Sequence, residues 1–227
     1  MHIDDVWQVI EEAGFTPRGA FAPVPGDGVP DVEPGRPART LVLVGNAGPV
    51  MWEHFARDRD PEKDKLDDWT CDRLSAIARV LGGKALFPFS KPHLPFQRWA
   101  QRAEACHISP LGIAIHADYG LWHAYRGALA FAEAMELPPP DMRASPCEDC
   151  AERPCLSACP VSAFTGDEYK VAQCAHYLDS SEGHLCMSGG CLARHACPVG
   201  RDYAYVPAQA AFLMKAYLLG RKEDKTI

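Results

Sequence analysis

Residues 147–160 read CEDCAERPCLSACP, and residues 174–198 read CAHYLDSSEGHLCMSGGCLARHACP. Together the two stretches hold eight of the ten cysteines, four in each, and each stretch ends in Cys-Pro. Two cysteines separated by two residues let one tight turn supply two thiolates, and a proline after the last cysteine ends any local helix. This count and spacing predict two sites of four thiolates each, as two 4Fe-4S clusters require. We therefore expect a protein that moves electrons.

The order of the cysteines also predicts which of them share a cluster. In two-cluster ferredoxins, the fourth cysteine of each run binds the cluster of the other run. The same crossing predicts a first cluster bound by Cys147, Cys150, Cys155 and Cys197. It predicts a second cluster bound by Cys159, Cys174, Cys186 and Cys191.

Three other interpretations of these cysteines are open. Zinc sites of four cysteines usually show two tight Cys-x2-Cys pairs, whereas this region has one. A disulfide framework needs an oxidising compartment, and the first seven residues, MHIDDVW, lack the basic start and apolar core of a secretion signal. A single cluster with spare thiols is the third, because gaps of four and five residues are wider than those of simple ferredoxins.

Other potential metal ligands have simpler explanations. His176, His184 and His195 lie in the same region, but eight thiolates already complete two clusters. Cys71 and Cys106 fall on predicted helices, where a cysteine is more often a buried core thiol than a ligand.

Composition and charge indicate a globular protein. The chain has 227 residues, 47% of them hydrophobic, which suffices for one sizeable core and a smaller cofactor-bearing region. The net charge is −7 and basic residues form no long run, so we expect no nucleic acid partner. No apolar stretch approaches the ~20 residues of a membrane span, so we expect no membrane partner and a cytoplasmic location. An acidic surface suits docking on a basic redox partner protein, and nothing in the sequence indicates an oligomeric state.

The N-terminal part of the chain predicts an alternation of helices and strands. Apolar spacings of three and four residues predict helices over 3–13, 50–59, 65–81 and 96–106. Apolar runs predict strands over 40–44, 85–89, 111–115 and 122–131, the last two paired through Asp118-Tyr119-Gly120. Six prolines between residues 17 and 37 predict a segment without regular structure. The pattern indicates an α+β domain around one sheet.

A proline run at 138–140 predicts a stiff linker before the cysteine region. We therefore predict three parts: an N-terminal domain over 1–140, a ferredoxin-like domain with two 4Fe-4S clusters over 141–205, and a C-terminal helix and tail over 206–227. Apolar residues between 207 and 219 predict the helix, and the charged tail after 221 is expected to fray.

The C-terminal half resembles the epoxyqueuosine reductases and, more distantly, the reductive dehalogenases. The matching stretches are CPVSAF at 159–164, CAHYL at 174–178 and the closing Cys-Pro. Upstream, SPLGIAIHADYGLW at 109–122 and RGAL at 126–129 resemble the segment that precedes the cluster region of those enzymes. The same stretch is similar to the His-Pro-x-Phe/Tyr-Gly-x-Trp and Arg-Gly segments of the cobalamin-processing chaperones. Together these resemblances cover about residues 40–200.

The resemblance implies a nitroreductase-like α+β domain with a mixed sheet and flanking helices that holds a corrinoid, cobalamin. It also implies that the two clusters deliver electrons to the cobalt. His116 aligns with a histidine near the cobalamin of the chaperones, and Tyr119, Gly120 and Trp122 belong to the same motif, so all four are candidate cofactor-binding residues. A histidine held by backbone groups at a turn, and aromatic residues in a core, are the alternative explanations.

The chain departs from the reductases at three places. A proton-donating aspartate of that family is replaced by the stretch KPHLP at 91–95, where His93 is a candidate donor. The stretch Gly-Trp-x-Gly-Lys reads SPLGI here, at 109–113. The helical-repeat region that grips tRNA in that family has no counterpart, so we expect no activity on a tRNA base.

Three functions follow as hypotheses. The first is a cytoplasmic iron-sulfur oxidoreductase that passes electrons to a corrinoid for its reduction or dealkylation. The second is a ferredoxin-like electron carrier without corrinoid activity. The third is a flavin-binding reductase, since nitroreductase-like domains hold flavins, although GNAG at 45–48 is weak support for a nucleotide phosphate site.

Overall fold

The computed structural model describes residues 1–60 and 65–223. The helices are α1 (Ile3–Glu12), α2 (Val50–Asp58), α3 (Leu66–Val80), α4 (Phe96–Ala103), α5 (Pro154–Ser157), α6 (Val171–Asp179), α7 (His184–Gly189), α8 (Leu192–His195) and α9 (Pro207–Glu223). The strands are β1 (Thr16–Phe21), β2 (Thr40–Ala47), β3 (Lys84–Leu86), β4 (Cys106–Ile108), β5 (Ala114–His116) and β6 (His123–Phe131). Helices and strands are interspersed up to β6, and short helices dominate the cysteine region. This arrangement confirms the predicted α+β class.

The chain divides into two compact units. The first, called the sheet unit here, comprises Met1–Ala105 and Ala124–Arg143. The second, called the cysteine unit, comprises Cys106–His123 and the chain from Ala144 onward. The segment 106–123 and helix α9 therefore group with the cysteines, although the sequence pattern predicts them in other parts. That these units correspond to a corrinoid-binding and a ferredoxin-like domain stays a prediction.

A four-stranded sheet in the order β1-β2-β6-β3 forms the centre of the sheet unit. Every residue of β2 is buried, as its uninterrupted apolar run predicts for a strand with neighbours on both sides. The pairs β1–β2 and β3–β6 are antiparallel. The predicted helices α1, α2 and α3 are confirmed to within a residue or two at each end.

The sequence predicts no regular structure between residues 17 and 37, and this prediction was wrong for the first residues of the segment, which lie in β1. Pro17 lies within β1 and pairs with Val44, and the register of the pair shifts between Pro17 and Ala20. Proline lacks the N–H that a central strand must donate, so it is tolerated on an edge strand or at a bulge, and β1 offers both.

The predicted pairing of 111–115 with 122–131 was also wrong. Strand β5 pairs with β4 in a separate two-stranded hairpin, while β6 lies between β2 and β3. The tip of the hairpin is closed by Ser109, whose backbone N–H donates to the Ile113 carbonyl and whose hydroxyl accepts from the Leu111 N–H. Cys106, predicted on a helix, is the first residue of β4 and is buried.

A buried ion pair links β1 to the residue that follows α4. The Arg18 guanidinium lies 2.6 Å from Oε1 of Glu104, and both side chains are at least nine-tenths buried. The Gly19 N–H and the Tyr125 hydroxyl donate to the same carboxylate. Because several donors satisfy it, the carboxylate can be charged in a buried environment without a large penalty.

Replacing Arg18 by alanine is expected to destabilise the protein by about 3–5 kcal/mol, because it leaves a buried carboxylate without its counter-charge. Denaturant unfolding followed by circular dichroism measures this loss. The matched control is Arg36→Ala, which removes a pair with Glu33 that is more than half exposed on both sides and should change stability little. Equal effects of the two substitutions would contradict a structural role for the buried pair.

Within the described parts of the chain, no helix combines the length and the apolar character needed to cross a bilayer.

Candidate metal centres

The first cavity in the cysteine unit is lined by cysteines from both sequence runs. Cys147, Cys150 and Cys155 come from the first run, and Cys197 is the last cysteine of the second. The cavity measures about 310 Å³, including space open to solvent, and the rest of its lining is mainly apolar and proline-rich. These are the four residues assigned above to the first cluster, and their binding of iron stays a prediction.

The second cavity holds the other four cysteines. Cys159, Cys174, Cys186 and Cys191 line a space of about 300 Å³ that is also partly open to solvent. Its remaining lining includes Val161, Phe164, Leu178, Leu192 and Met214. Each sequence run therefore contributes three cysteines to one cavity and its last cysteine to the other, so the chain crosses between them.

Electrostatic interactions among the thiols follow the same division. Cys155 interacts with Cys197, Cys147 and Cys150. Cys174 interacts with Cys159 and Cys186, and Cys191 with Cys186 and Cys174. Charge interactions are strongest over short distances, so each group of four is a spatial cluster.

Burial raises the pKa of most of these thiols. It raises the pKa of Cys191 to about 11, and it shifts the pKa of Cys147, Cys155, Cys186 and Cys197 in the same direction. Near neutral pH these five thiols are therefore protonated when no cation is bound. Iron must displace those protons when it binds, because only the thiolate is a ligand.

Backbone N–H groups point at several of the sulfurs. The Ala163 N–H donates to Sγ of Cys159 at 3.3 Å. The Cys197 thiol accepts a hydrogen bond from the Val199 backbone, and the Cys191 thiol accepts from Arg194 and Ala193 at the start of α8. Such bonds favour the thiolate and are a known means of setting cluster potentials.

The donor set fits iron-sulfur clusters. Thiolates bind a single zinc ion at ~2.3 Å, so four of them converge on one point. Here each group of four surrounds a cavity with a mainly apolar lining. Four thiols around an apolar cavity, with N–H groups aimed at sulfur, suit a polynuclear cluster.

Two of the three histidines of the region contact backbone carbonyls. Nδ1 of His176 lies 2.7 Å from the Ala172 carbonyl, and Nε2 of His195 lies 2.8 Å from the Gly189 carbonyl. His184 is exposed at the start of α7. None of the three lines either cavity, and the linings consist of cysteines and mainly apolar residues.

His116 lies at the end of β5, where its ring closes a tight turn. Its Nδ1 accepts hydrogen bonds from the backbone N–H groups of Asp118 and Tyr119. The ring stacks on that of Tyr119, with centroids 4.5 Å apart, and it is 5% exposed. Because Nδ1 is engaged with the backbone, a cofactor would have to be contacted through Nε2.

Gly120 and Trp122 pack closely against the cysteine region. Gly120 has a φ of +56°, and a side chain there would meet the carbonyl oxygen of Val199 at 2.0 Å. Trp122 is 2% exposed, and the Arg194 guanidinium lies over its ring at 4.7 Å. The structure gives both residues a packing role, and their part in cofactor binding stays a prediction.

The second cavity includes residues that the sequence analysis missed. Helix α9 brings Met214 to the lining of the cavity, and its Tyr217 hydroxyl lies 2.5 Å from that of Tyr169. The apolar residues of α9 predicted that the helix packs on the body. The side chains that reach a cysteine depend on tertiary packing, which the sequence pattern does not contain.

No model of a known protein family matches the chain, and no curated protein matches it. Several solved structures do. An epoxyqueuosine reductase from Streptococcus thermophilus is 18% identical, aligns with 88% of this chain and 67% of its own, and gives a TM-score of 0.54. The B12-trafficking protein CblC of C. elegans is 14% identical, with 94% and 91% covered and a TM-score of 0.55.

A third solved structure is an epoxyqueuosine reductase with an epoxyqueuosine-modified tRNA-Tyr stem loop. It is 15% identical, with 92% of this chain and 68% of its own covered and a TM-score of 0.51. At these identities the likeness shows a shared fold. The resemblance derived from the motifs is therefore confirmed at the level of the fold.

Proposed function

We propose that this chain is an iron-sulfur redox protein that holds two 4Fe-4S clusters and passes electrons to a corrinoid for its reduction or dealkylation. The division of eight cysteines into two groups of four, each around its own cavity, carries the proposal. The shared fold supports the corrinoid as electron acceptor, since its neighbours include a B12-trafficking protein.

Because the ligand sets cross, each cluster would link the two sequence runs as well as carry electrons. One cluster would be bound by Cys147, Cys150, Cys155 and Cys197, and the other by Cys159, Cys174, Cys186 and Cys191. Each cluster then joins the two sequence runs. The apolar linings limit the access of water to the sulfurs, and the N–H donors stabilise negative charge on them.

The corrinoid part of the proposal rests on the fold and on His116. When bound, a corrinoid would supply a cobalt centre that accepts electrons. His116 is the residue that we propose to contact it, through Nε2, because the turn at Asp118 and Tyr119 fixes the ring by its other nitrogen.

We propose a redox protein rather than a nucleic acid as the macromolecular partner. The tRNA stem loop belongs to a structural neighbour, while this chain carries a net charge of −7. An acidic surface repels a phosphate backbone and attracts a basic redox partner protein. A cytoplasmic location, where thiols stay reduced, is part of the same proposal.

Adding hydroxocobalamin to anaerobically purified protein tests the acceptor. We expect the cobalamin to co-elute with the protein on a sizing column, and dithionite-reduced protein to convert the spectrum of the cobalamin to that of its reduced form. Replacing His116 by alanine should weaken cobalamin binding about tenfold or more, roughly 1.4 kcal/mol, with the iron content unchanged. The control His2→Ala alters an exposed residue at the N-terminus and should bind as the wild type does.

Cobalamin that elutes separately from protein with intact clusters would favour the electron carrier without corrinoid activity. Protein that instead co-purifies with a flavin would favour the flavin-binding reductase. Either result contradicts the corrinoid part of the proposal and leaves the clusters standing.

A further inference from the structure

Two tyrosine hydroxyls meet at one cysteine of the second cavity. The oxygens of Tyr169 and Tyr217 lie 2.5 Å apart, so one hydroxyl donates to the other, and the linked pair hydrogen-bonds to Cys174. Tyr169 lies two residues before α6, which carries Cys174, whereas Tyr217 lies on α9. This group of three side chains is therefore assembled from separate parts of the cysteine unit.

Packing holds both rings in place. Phe164, which lines the cavity, stacks on Tyr169 with ring centroids 4.6 Å apart and an interplanar angle of 15°. Tyr217 packs in the core cluster built on Leu178, Cys186 and Leu218. A tyrosine hydroxyl has an ordinary pKa of about 10, so it keeps its proton near neutral pH and can donate a hydrogen bond.

We propose that Tyr169 and Tyr217 are redox-tuning residues that raise the midpoint potential of the second 4Fe-4S cluster through the hydrogen bond that the linked pair donates to Cys174. The inference rests on the proposed function, since it requires a cluster in this cavity. One-electron reduction adds a negative charge that is shared among the sulfurs, so an O–H donor stabilises the reduced cluster more than the oxidised one. Linked hydroxyls polarise each other, which strengthens the effect.

The pair would thereby bias an electron shared between the clusters toward the second one. Removing a donor should lower the potential of that cluster and return the electron toward the first. The first cavity is lined by different residues, and Cys174 is not among them. Its cluster therefore serves as an internal reference in the same molecule.

The test is a dithionite redox titration of the holoprotein, followed by electron paramagnetic resonance. In Tyr169→Phe and in Tyr217→Phe, we expect the reduced-to-oxidised ratio of the second cluster at a fixed potential to fall about tenfold, a shift of about −59 mV for one electron. The potential of the first cluster should not move. A Cys197→Ser protein, which should keep only the second cluster, identifies the signal that belongs to it.

Tyr177→Phe is the matched control. Tyr177 lines the same cavity, but the pKa of Tyr177 responds to charge on Cys186 and Cys159 rather than to a hydrogen bond with them. Its loss should shift the potential much less. The double Tyr169→Phe/Tyr217→Phe variant should shift the potential by less than the sum of the single variants, because the two hydroxyls are partners of each other.

An unchanged potential of the second cluster in both single variants, with full iron content, would overturn the inference and leave the proposed function intact. Shifts of similar size in both clusters would overturn it as well, because they would indicate a general loosening of the unit. If Tyr217→Phe lowers the iron content by displacing α9, the Tyr169→Phe variant alone tests the inference, because it leaves the sequence of α9 unaltered. Wild-type protein without clusters would instead refute the proposed function.

Discussion

Replacing Cys197 by serine is expected to abolish the cluster bound by Cys147, Cys150 and Cys155, although Cys197 belongs to the other sequence run. These four residues line one cavity, and a serine hydroxyl does not ionise near neutral pH as a thiol can when iron binds. About four of eight irons should be lost, and the second cluster should remain. Replacing Cys159 by serine should have the converse effect and spare the first cluster.

Iron analysis and electron paramagnetic resonance on anaerobically purified variants measure both losses. The control is Cys71→Ser, because Cys71 lies on α3 in the sheet unit and lines neither cavity. That protein should retain about eight irons. If Cys197→Ser spares the first cluster and damages the second, the crossed arrangement is incorrect and each run binds its own cluster.

Removing the clusters is expected to unfold the cysteine unit. The cysteines form part of its buried core: Cys155 and Cys197 belong to one apolar cluster and Cys186 to another. The helices α5 and α8 between them have four residues each, too few to be stable alone. Without iron, buried thiols would surround two cavities. The free energy of cluster binding, which also stabilises the folded cysteine unit, would be lost.

Hydrogen exchange with mass spectrometry, before and after anaerobic chelation, measures this effect. Amides between residues 147 and 197 should lose their protection and exchange at rates near those of an unfolded chain. This corresponds to losing the local stability of a small domain, on the order of 5 kcal/mol or more. Amides of β2 and β6 in the four-stranded sheet should stay protected, since that sheet has its own apolar core. Full protection of 147–197 after iron removal would show that the unit folds without clusters.

Elements with long periodic patterns could be predicted from the sequence. Helices α1, α3 and α9 and strand β2 follow directly from apolar spacing, because each buries one continuous face or run. The short strands were harder to predict from the sequence. β4 has three residues, and Cys106 at its start fits a helical pattern equally well, so the turn at Ser109 was the one available signal.

The candidate site likewise has features that the sequence predicts and features that it does not. Cysteine spacing is a local code for metal binding, and by itself it predicts two groups of four. The environment of each sulfur is a product of tertiary packing. The approach of Tyr217 to Cys174 depends on where α9 docks, and Trp122 contacts Arg194 and Tyr205, which lie far from it in the sequence. None of these contacts leaves a periodic or spacing signal in the sequence.

Metal and sulfide analysis of protein purified without oxygen tests the central claim most directly. On the four-per-cluster count, the account predicts about eight irons and about eight acid-labile sulfides for each chain. It also predicts a broad absorbance that bleaches with dithionite. Protein that is colourless and free of iron, or that carries zinc in its place, would contradict the account.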